Sequence, residues 1–214
     1  MVDFDPTTHR YTHQGRVIPS VTGRIKSAGL LGPAVSFYTD ETAARGQRVH
    51  LACLQLDHAD LQWAAGRGGQ TLAPALTPME RGYVLSYHRW CEAMAPQWTS
   101  LETPHYSARY DTAGTADRLG TIDSVPAVVD FKTGGPAAWH GVQLAMYDLL
   151  HDELPPRERR RLVLHLVDDG RMAQVVEYHA AADYLLALEL MKGPPDVTNC
   201  ADHDPVATES HGQP

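Results

Sequence analysis

Gly114–Leu150, GTADRLGTIDSVPAVVDFKTGGPAAWHGVQLAMYDLL, is the stretch that decides the reading of this chain. The apolar run Val125–Phe131 reads as a buried strand and ends in the triplet Asp130-Phe131-Lys132. Residues two apart on a strand share a face, so Asp130 and Lys132 aim at one spot. Asp117 lies in a turn-rich segment leading into another strand. If it reaches the same spot, two carboxylates repel unless a cation sits between them. A hard divalent ion with oxygen ligands suits that place, Mg²⁺ first and Mn²⁺ as its substitute. A lysine beside such an ion orients or deprotonates a water, which is equipment for metal-assisted phosphodiester hydrolysis.

An Asp-x-Lys triplet on a strand is also an ordinary solvated ion pair. Asp130 differs because it follows Val128 and Val129 at the end of a buried run, where an unpartnered acid is costly. Further on, Gln143 and Tyr147 are four apart and share a helix face. They could hold a phosphate, or be the polar face of a helix.

Five motifs, in order, resemble the PD-(D/E)XK nuclease superfamily, in its RecB-like branch of phage-type exonucleases and Cas4-like proteins. Arg45-Gly-Gln-Arg-Val-His50 resembles the helix that brings a metal-binding histidine. Glu102 falls where the branch often has a glutamate on the first core strand. Gly114-Thr-Ala-Asp117 resembles the motif of the first metal acid, with Ala116 where the family has proline. Val129-Asp-Phe-Lys-Thr-Gly134 resembles the acid-x-Lys motif, and Gln143-Leu-Ala-Met-Tyr147 the Gln-x-x-x-Tyr helix. The resemblance covers roughly residues 40 to 180. It implies His50, Asp117, Asp130 and the Phe131 carbonyl as metal ligands, and Lys132 as the cation acting on water. Glu102 is implied as a further ligand or acceptor, against a plain surface acid. Substrate contacts are expected from Gln143, Tyr147, Arg118 and Arg48. Cys53, Cys91 and Cys200 are too few for the four-cysteine iron–sulfur cluster of Cas4-like members, so the resemblance is to cluster-free ones.

The implied fold is α/β, a restriction-endonuclease-like core with a mixed central sheet flanked by helices and an N-terminal helical region. The implied activity is a metal-dependent DNA exonuclease for recombination, repair or phage DNA processing. The implied partners are DNA strand ends and a single-strand-binding or annealing protein. A nuclease-fold accessory protein without strong catalysis, or a structure-selective endonuclease, is the alternative. The complete Asp117/Asp130/Lys132 set favours the enzyme.

Composition sets bounds. At 214 residues the chain suits one domain, expected over 1–192, with an acidic disordered tail over 193–214. No apolar run approaches the roughly 20 residues needed to span a bilayer. The N-terminus lacks the form of a signal peptide, and three scattered cysteines fit a reducing compartment, so the cytoplasm of a bacterium or phage-infected cell is expected. The net charge of −8 argues against a broad grip on DNA. Asp196, Asp202, Asp204 and Glu209 carry half of it, leaving −4 on residues 1–192. Basic clusters at Arg24/Lys26, Arg45/Arg48, Arg118 and Arg157–Arg161 are expected to face a substrate.

The punctuation of the chain predicts the elements. A hairpin over His9–Ile18 turns at Gln14-Gly15, and Ser20 caps a helix that Gly29 stops. Helices are expected over Ser36–Leu56, Thr77–Ala95, Ala137–Leu150 and Ala181–Met191. A loop is expected over Gly66–Pro78. Strands are expected over Thr99–Ala108, Gly114–Ile122, Ala127–Lys132, Arg161–Val167 and Met172–His179. Tyr83, Tyr87, Trp90 and Met94 recur at helical spacing and read as a core stripe rather than a base-stacking platform.

Overall fold

A computed structural model of the chain describes residues 1–6, 8–32, 39–64, 75–151 and 159–192, with the side chains of 40 and 59–64 left aside. The acidic tail, most of the 66–78 loop and the expected helix start at Ser36 lie outside the described residues. The fold is α/β, with five helices and a mixed five-stranded sheet among the described residues.

The N-terminal part opens with strands rather than helices. β1 (Asp3–Asp5), β2 (Arg10–His13) and β3 (Arg16–Ile18) form an antiparallel sheet. The β2–β3 turn is at Gln14-Gly15, both with positive φ (50° and 75°), the backbone a two-residue hairpin loop requires. β1 is an addition to the expected hairpin. Ser20 then caps α1 (Val21–Ser27), its hydroxyl accepting the Gly23 N–H at 2.9 Å.

α2 (Asp40–Ala64) carries the Arg45–His50 motif and runs eight residues past its expected end at Leu56. α3 (Pro78–Met94) starts with a capping box in which Thr77 and Glu80 satisfy each other's backbone N–H groups. Tyr83, Tyr87 and Trp90 on α3 are buried against the sheet, as a core stripe requires.

The central sheet consists of β4 (Gln97–Leu101), β7 (Arg118–Ile122), β8 (Val125–Lys132), β9 (Arg160–His165) and β10 (Gln174–Glu177), in the order β10-β9-β8-β7-β4. β8 and β9 are parallel, joined across α4 (Trp139–Leu150); the other neighbours are antiparallel. Two expected strands are each broken. Thr99–Ala108 splits into β4 and β5 (His105–Ser107), and Gly114–Ile122 into β6 (Thr112–Gly114) and β7. The first break is at Glu102, whose left-handed backbone (φ 43°) turns the chain out of the sheet. β5 and β6 pair as a separate ribbon.

Alternation on β8 sorts the core. Ala127, Val129 and Phe131 face the layer of α2 and α3, while Val128 faces α4, α1 and α5 (Ala181–Lys192). Asp130 and Lys132 share the face of Val128, toward α4. Every residue of α4 is buried, as a helix packed on several sides must be. Gly114 makes one close approach possible, since a Cβ there would stand 2.9 Å from the Tyr147 ring. Among the described residues no helix is long and apolar enough to cross a membrane.

Candidate metal centre

The antiparallel pairing of β7 with β8 brings the start of one beside the end of the other, and the acids collect there. Asp117 immediately precedes β7, and its Oδ2 accepts the Phe131 N–H at 2.6 Å. Glu102 leaves β4 beside it, its N–H donating to the Asp117 carbonyl at 3.0 Å. His50 reaches in from α2, with Nδ1 3.3 Å from Asp117 Oδ1. One ligand atom from each of His50, Glu102 and Asp117 lies within 4.8 Å of the others. That spacing suits three donors converging on one ion.

Asp130 stands behind this trio, nearly buried. Its Oδ2 lies 2.5 Å from Lys132 Nζ. Lys132 also donates to Gln143 Oε1 at 3.1 Å, and Gln143 Nε2 to the Tyr147 hydroxyl at 3.2 Å. The Trp139 ring lies 5.2 Å from the ammonium. Asp130, Lys132, Gln143 and Tyr147 therefore form one connected string. Of the expected ligand residues His50, Asp117, Asp130 and Phe131, His50 and Asp117 lie together with Glu102. The residues brought closest are His50, Glu102 and Asp117, while Asp130 is engaged by Lys132. Phe131 gives its N–H to Asp117, and its ring packs under His50 at 5.7 Å between centroids.

The electrostatics record an excess of negative charge. Burial, joined by the Asp117 charge, raises the Glu102 carboxyl, with His50 and Arg118 offsetting only part. Burial likewise raises Asp130 to about 6 against the pull of Lys132, and Asp117 adds to the rise. Burial opposes charge on the His50 ring, yet Asp117, Glu102 and Asp130 together raise it to about 8. Burial works against ionised Asp117 too, but His50, Lys132 and the Phe131 N–H hold its carboxyl below the usual range.

The arginines do other work. Arg118 is wholly buried. Its Nε donates to Asp57 at 2.6 Å, and one terminal nitrogen to the Asp117 carbonyl at 2.6 Å and to Glu102 at 3.3 Å. The phosphate contact expected of it would have to reach a buried guanidinium whose other terminal nitrogen has no hydrogen-bond partner among the described residues. Arg48 pairs with Glu80 at 2.6 Å and Glu41 at 2.9 Å, tying α2 to the start of α3. Other residues of the expected basic face are engaged as well. Arg24 donates to Thr112, Arg159 to Asp148, Arg160 to Glu177 and Arg161 to Asp183.

Two participants escaped the sequence reading. Asp57 accepts from both Arg118 and the Tyr87 hydroxyl, the latter at 2.8 Å. A signal existed: Asp57 lies two turns beyond His50 on α2, in phase with buried Cys53. Tyr11, from the N-terminal sheet, meets the Thr115 hydroxyl at 2.8 Å, two residues before Asp117. No sequence spacing points to that contact. No protein-family model matches the chain, and no curated protein matches it significantly.

Proposed function

We propose that the chain is a divalent-metal-dependent deoxyribonuclease of the PD-(D/E)XK, RecB-like kind, hydrolysing phosphodiester bonds at DNA strand ends. The observation that carries this reading is the convergence of His50, Glu102 and Asp117 beside the Asp130–Lys132 pair. The mixed sheet, with acids at the β7–β8 junction and a Gln/Tyr helix facing them, fits a restriction-endonuclease-like core.

The donor set fits a divalent ion. Two carboxylates and one imidazole suit Mg²⁺ or Mn²⁺, and a bound cation would favour the charged forms of Glu102 and Asp130, which burial and then the Asp117 charge disfavour. His50, Glu102 and Asp117 would hold the ion, with Asp130 close by. When bound, it supplies Lewis-acid polarisation of a phosphoryl oxygen and a more acidic water. Lys132, steadied by Asp130 and Gln143, orients the attacking water or meets charge developing on the phosphate. Tyr147 fixes the Gln143 amide, and so the ammonium.

A second reading is an accessory protein on the same fold without strong catalysis, and one observation bears on it: Arg48 and Arg118 are tied up internally, which leaves fewer cations to hold a scissile phosphate. Digestion of end-labelled single- and double-stranded DNA, with Mg²⁺ or with EDTA, separates the two. The nuclease reading expects progressive loss of linear DNA with Mg²⁺ only, and resistance of covalently closed duplex circles. Binding without cleavage supports the accessory module. Rapid cutting of closed circles at discrete sites makes the protein an endonuclease.

A further inference from the structure

A cavity of about 400 Å³ lies outside the residues of the metal centre, lined by His105, Tyr106, Ser107, Arg109, Leu150 and His151. Its size falls within the roughly 300–1,000 Å³ of ligand pockets. Tyr106 is engaged, its hydroxyl donating to Asp111 at 3.0 Å. The Ser107 hydroxyl is buried and has no hydrogen-bond partner among the described residues. Buried hydroxyls are seldom left so. The His105 and His151 rings stack on each other, with centroids 4.2 Å apart. Arg109 is exposed and its guanidinium rests over the Tyr110 ring at 5.3 Å. Among the described residues the lining holds no carboxylate.

Two strands of evidence connect this cavity with the metal centre. His105 lies three residues after Glu102, and its register partner Gly114 lies three residues before Asp117, so the β5–β6 ribbon grows directly out of the acids. On α4, Gln143, Tyr147 and the C-cap residue His151 recur every fourth position. That stripe runs on the order of 12 Å along the helix from the Lys132 contact to the cavity. The negative end of α4 would disfavour an anion here. It is blunted, because Arg159 donates to the His151 carbonyl and to Asp148, each at 3.0 Å.

We propose that the His105–Ser107–Arg109–His151 cavity is a subsite for a nucleotide phosphate. Arg109 supplies charge, while Ser107 and the imidazoles supply donors and a flat surface. Assigning that phosphate to a nucleic-acid strand under cleavage rests on the nuclease reading above. The alternative source is a released mononucleotide.

The test uses the full chain in EDTA, so that the metal centre is empty, and follows the imidazole C–H signals of His105 and His151 by NMR. Inorganic phosphate and thymidine 5′-monophosphate should shift both signals, and thymidine should not. Arg109→Gln should weaken monophosphate binding about tenfold, the loss of one charge-assisted contact. Ser107→Ala should weaken it less. Mn²⁺ binding at the acid trio should be unchanged in both variants. Oligothymidylate binding more tightly than the monophosphate assigns the site to a strand; the reverse assigns it to released product; either supports the site. Equal shifts with thymidine, no shifts at all, or unaltered binding by a folded Arg109→Gln protein would overturn it. If the wild type fails to cleave DNA while the phosphate shifts persist, the nuclease reading falls and the subsite stands.

Discussion

Two buried charge clusters flank the central sheet, and their bookkeeping differs. Between α4 and α5, Asp148 accepts from Arg159 at 3.0 Å and from the Tyr184 hydroxyl at 2.5 Å. Close by, Arg161 donates to Asp183 at 3.1 Å, to the Gly141 and Ala180 carbonyls, and lies over the Tyr184 ring. Two acids meet two arginines, and the cluster is neutral. At the β7–β8 junction four acids, Asp57, Glu102, Asp117 and Asp130, are set against Arg118 and Lys132 among the described residues. The deficit falls on His50, whose ring stays protonated to about pH 8. A neutral buried network holds a fold together. A charge-deficient one strains it, and the proposed divalent ion would relieve that strain.

Substitutions should therefore act oppositely in the two places. The largest effect is expected from Asp117→Ala or Asp130→Ala, which should abolish Mg²⁺-dependent cleavage. The protein should stay folded, because removing one acid relieves repulsion. Asp148→Ala should instead remove the carboxylate to which Arg159 and the Tyr184 hydroxyl donate and cost about 3–5 kcal/mol. Urea unfolding of the variants measures the contrast, and comparable destabilisation by Asp117→Ala and Asp148→Ala would break it.

Lys132→Ala comes next. It should lower the cleavage rate by about 10²–10⁴ while Mn²⁺ binding persists, since the lysine acts on water or developing charge. Calorimetry finding no Mn²⁺ binding in a folded Lys132→Ala protein would assign the lysine to the structure of the site.

A smaller effect is expected where α2 is anchored. Glu80 caps α3 and pairs with Arg48, two residues before His50. Glu80→Ala should cost about 1–2 kcal/mol. The Thr77 backbone N–H and Arg48 lower the Glu80 carboxyl from its ordinary 4.5, despite its burial. A lowered folded-state pKa stabilises the protein above the unfolded value and ceases to do so as pH falls through the folded one. The stability gap between wild type and Glu80→Ala should thus be full near pH 7 and shrink below about pH 4.5. A gap independent of pH, followed by thermal unfolding, would mean the carboxylate charge contributes nothing.

Truncation after Lys192 should have the least effect. The removed residues carry Asp196, Asp202, Asp204 and Glu209 and no Lys or Arg, so DNA cleavage should persist and binding tighten slightly. A large loss of activity would tie the segment to the fold or to an oligomer contact.

Legibility in the sequence followed the strength of local signals. Val125–Lys132 was readable because an uninterrupted apolar run ending in an acid has few other uses. α1 and α3 were readable from Ser20 and from Thr77 with Pro78, whose chemistry satisfies helix N-termini. The break at Glu102 was not, since a glutamate with positive φ carries no local signature; tertiary pairing with Asp117 imposes it. Strand alternation put Asp130 and Lys132 on one face, where they pair. It has no means of telling how near His50, Glu102 and Asp117 come to one another, because they belong to three separate segments of the chain. The basic clusters were the least legible part. Arg24, Arg118 and Arg161 look like a substrate face in one dimension and are buried in three, Arg118 and Arg161 against acids and Arg24 against a hydroxyl and backbone carbonyls.

A divalent ion is expected to meet the charge deficit at the β7–β8 junction. Titration calorimetry of Mn²⁺ into the folded wild type and into Asp117→Asn, at pH 8, measures this directly. The expected result is one ion per wild-type chain and no binding by the variant, with affinity in the wild type falling as pH is lowered through about 8 and His50 takes up its proton. No heat of binding to the wild type, or equal binding by Asp117→Asn, would contradict the assignment of this cluster as a metal centre.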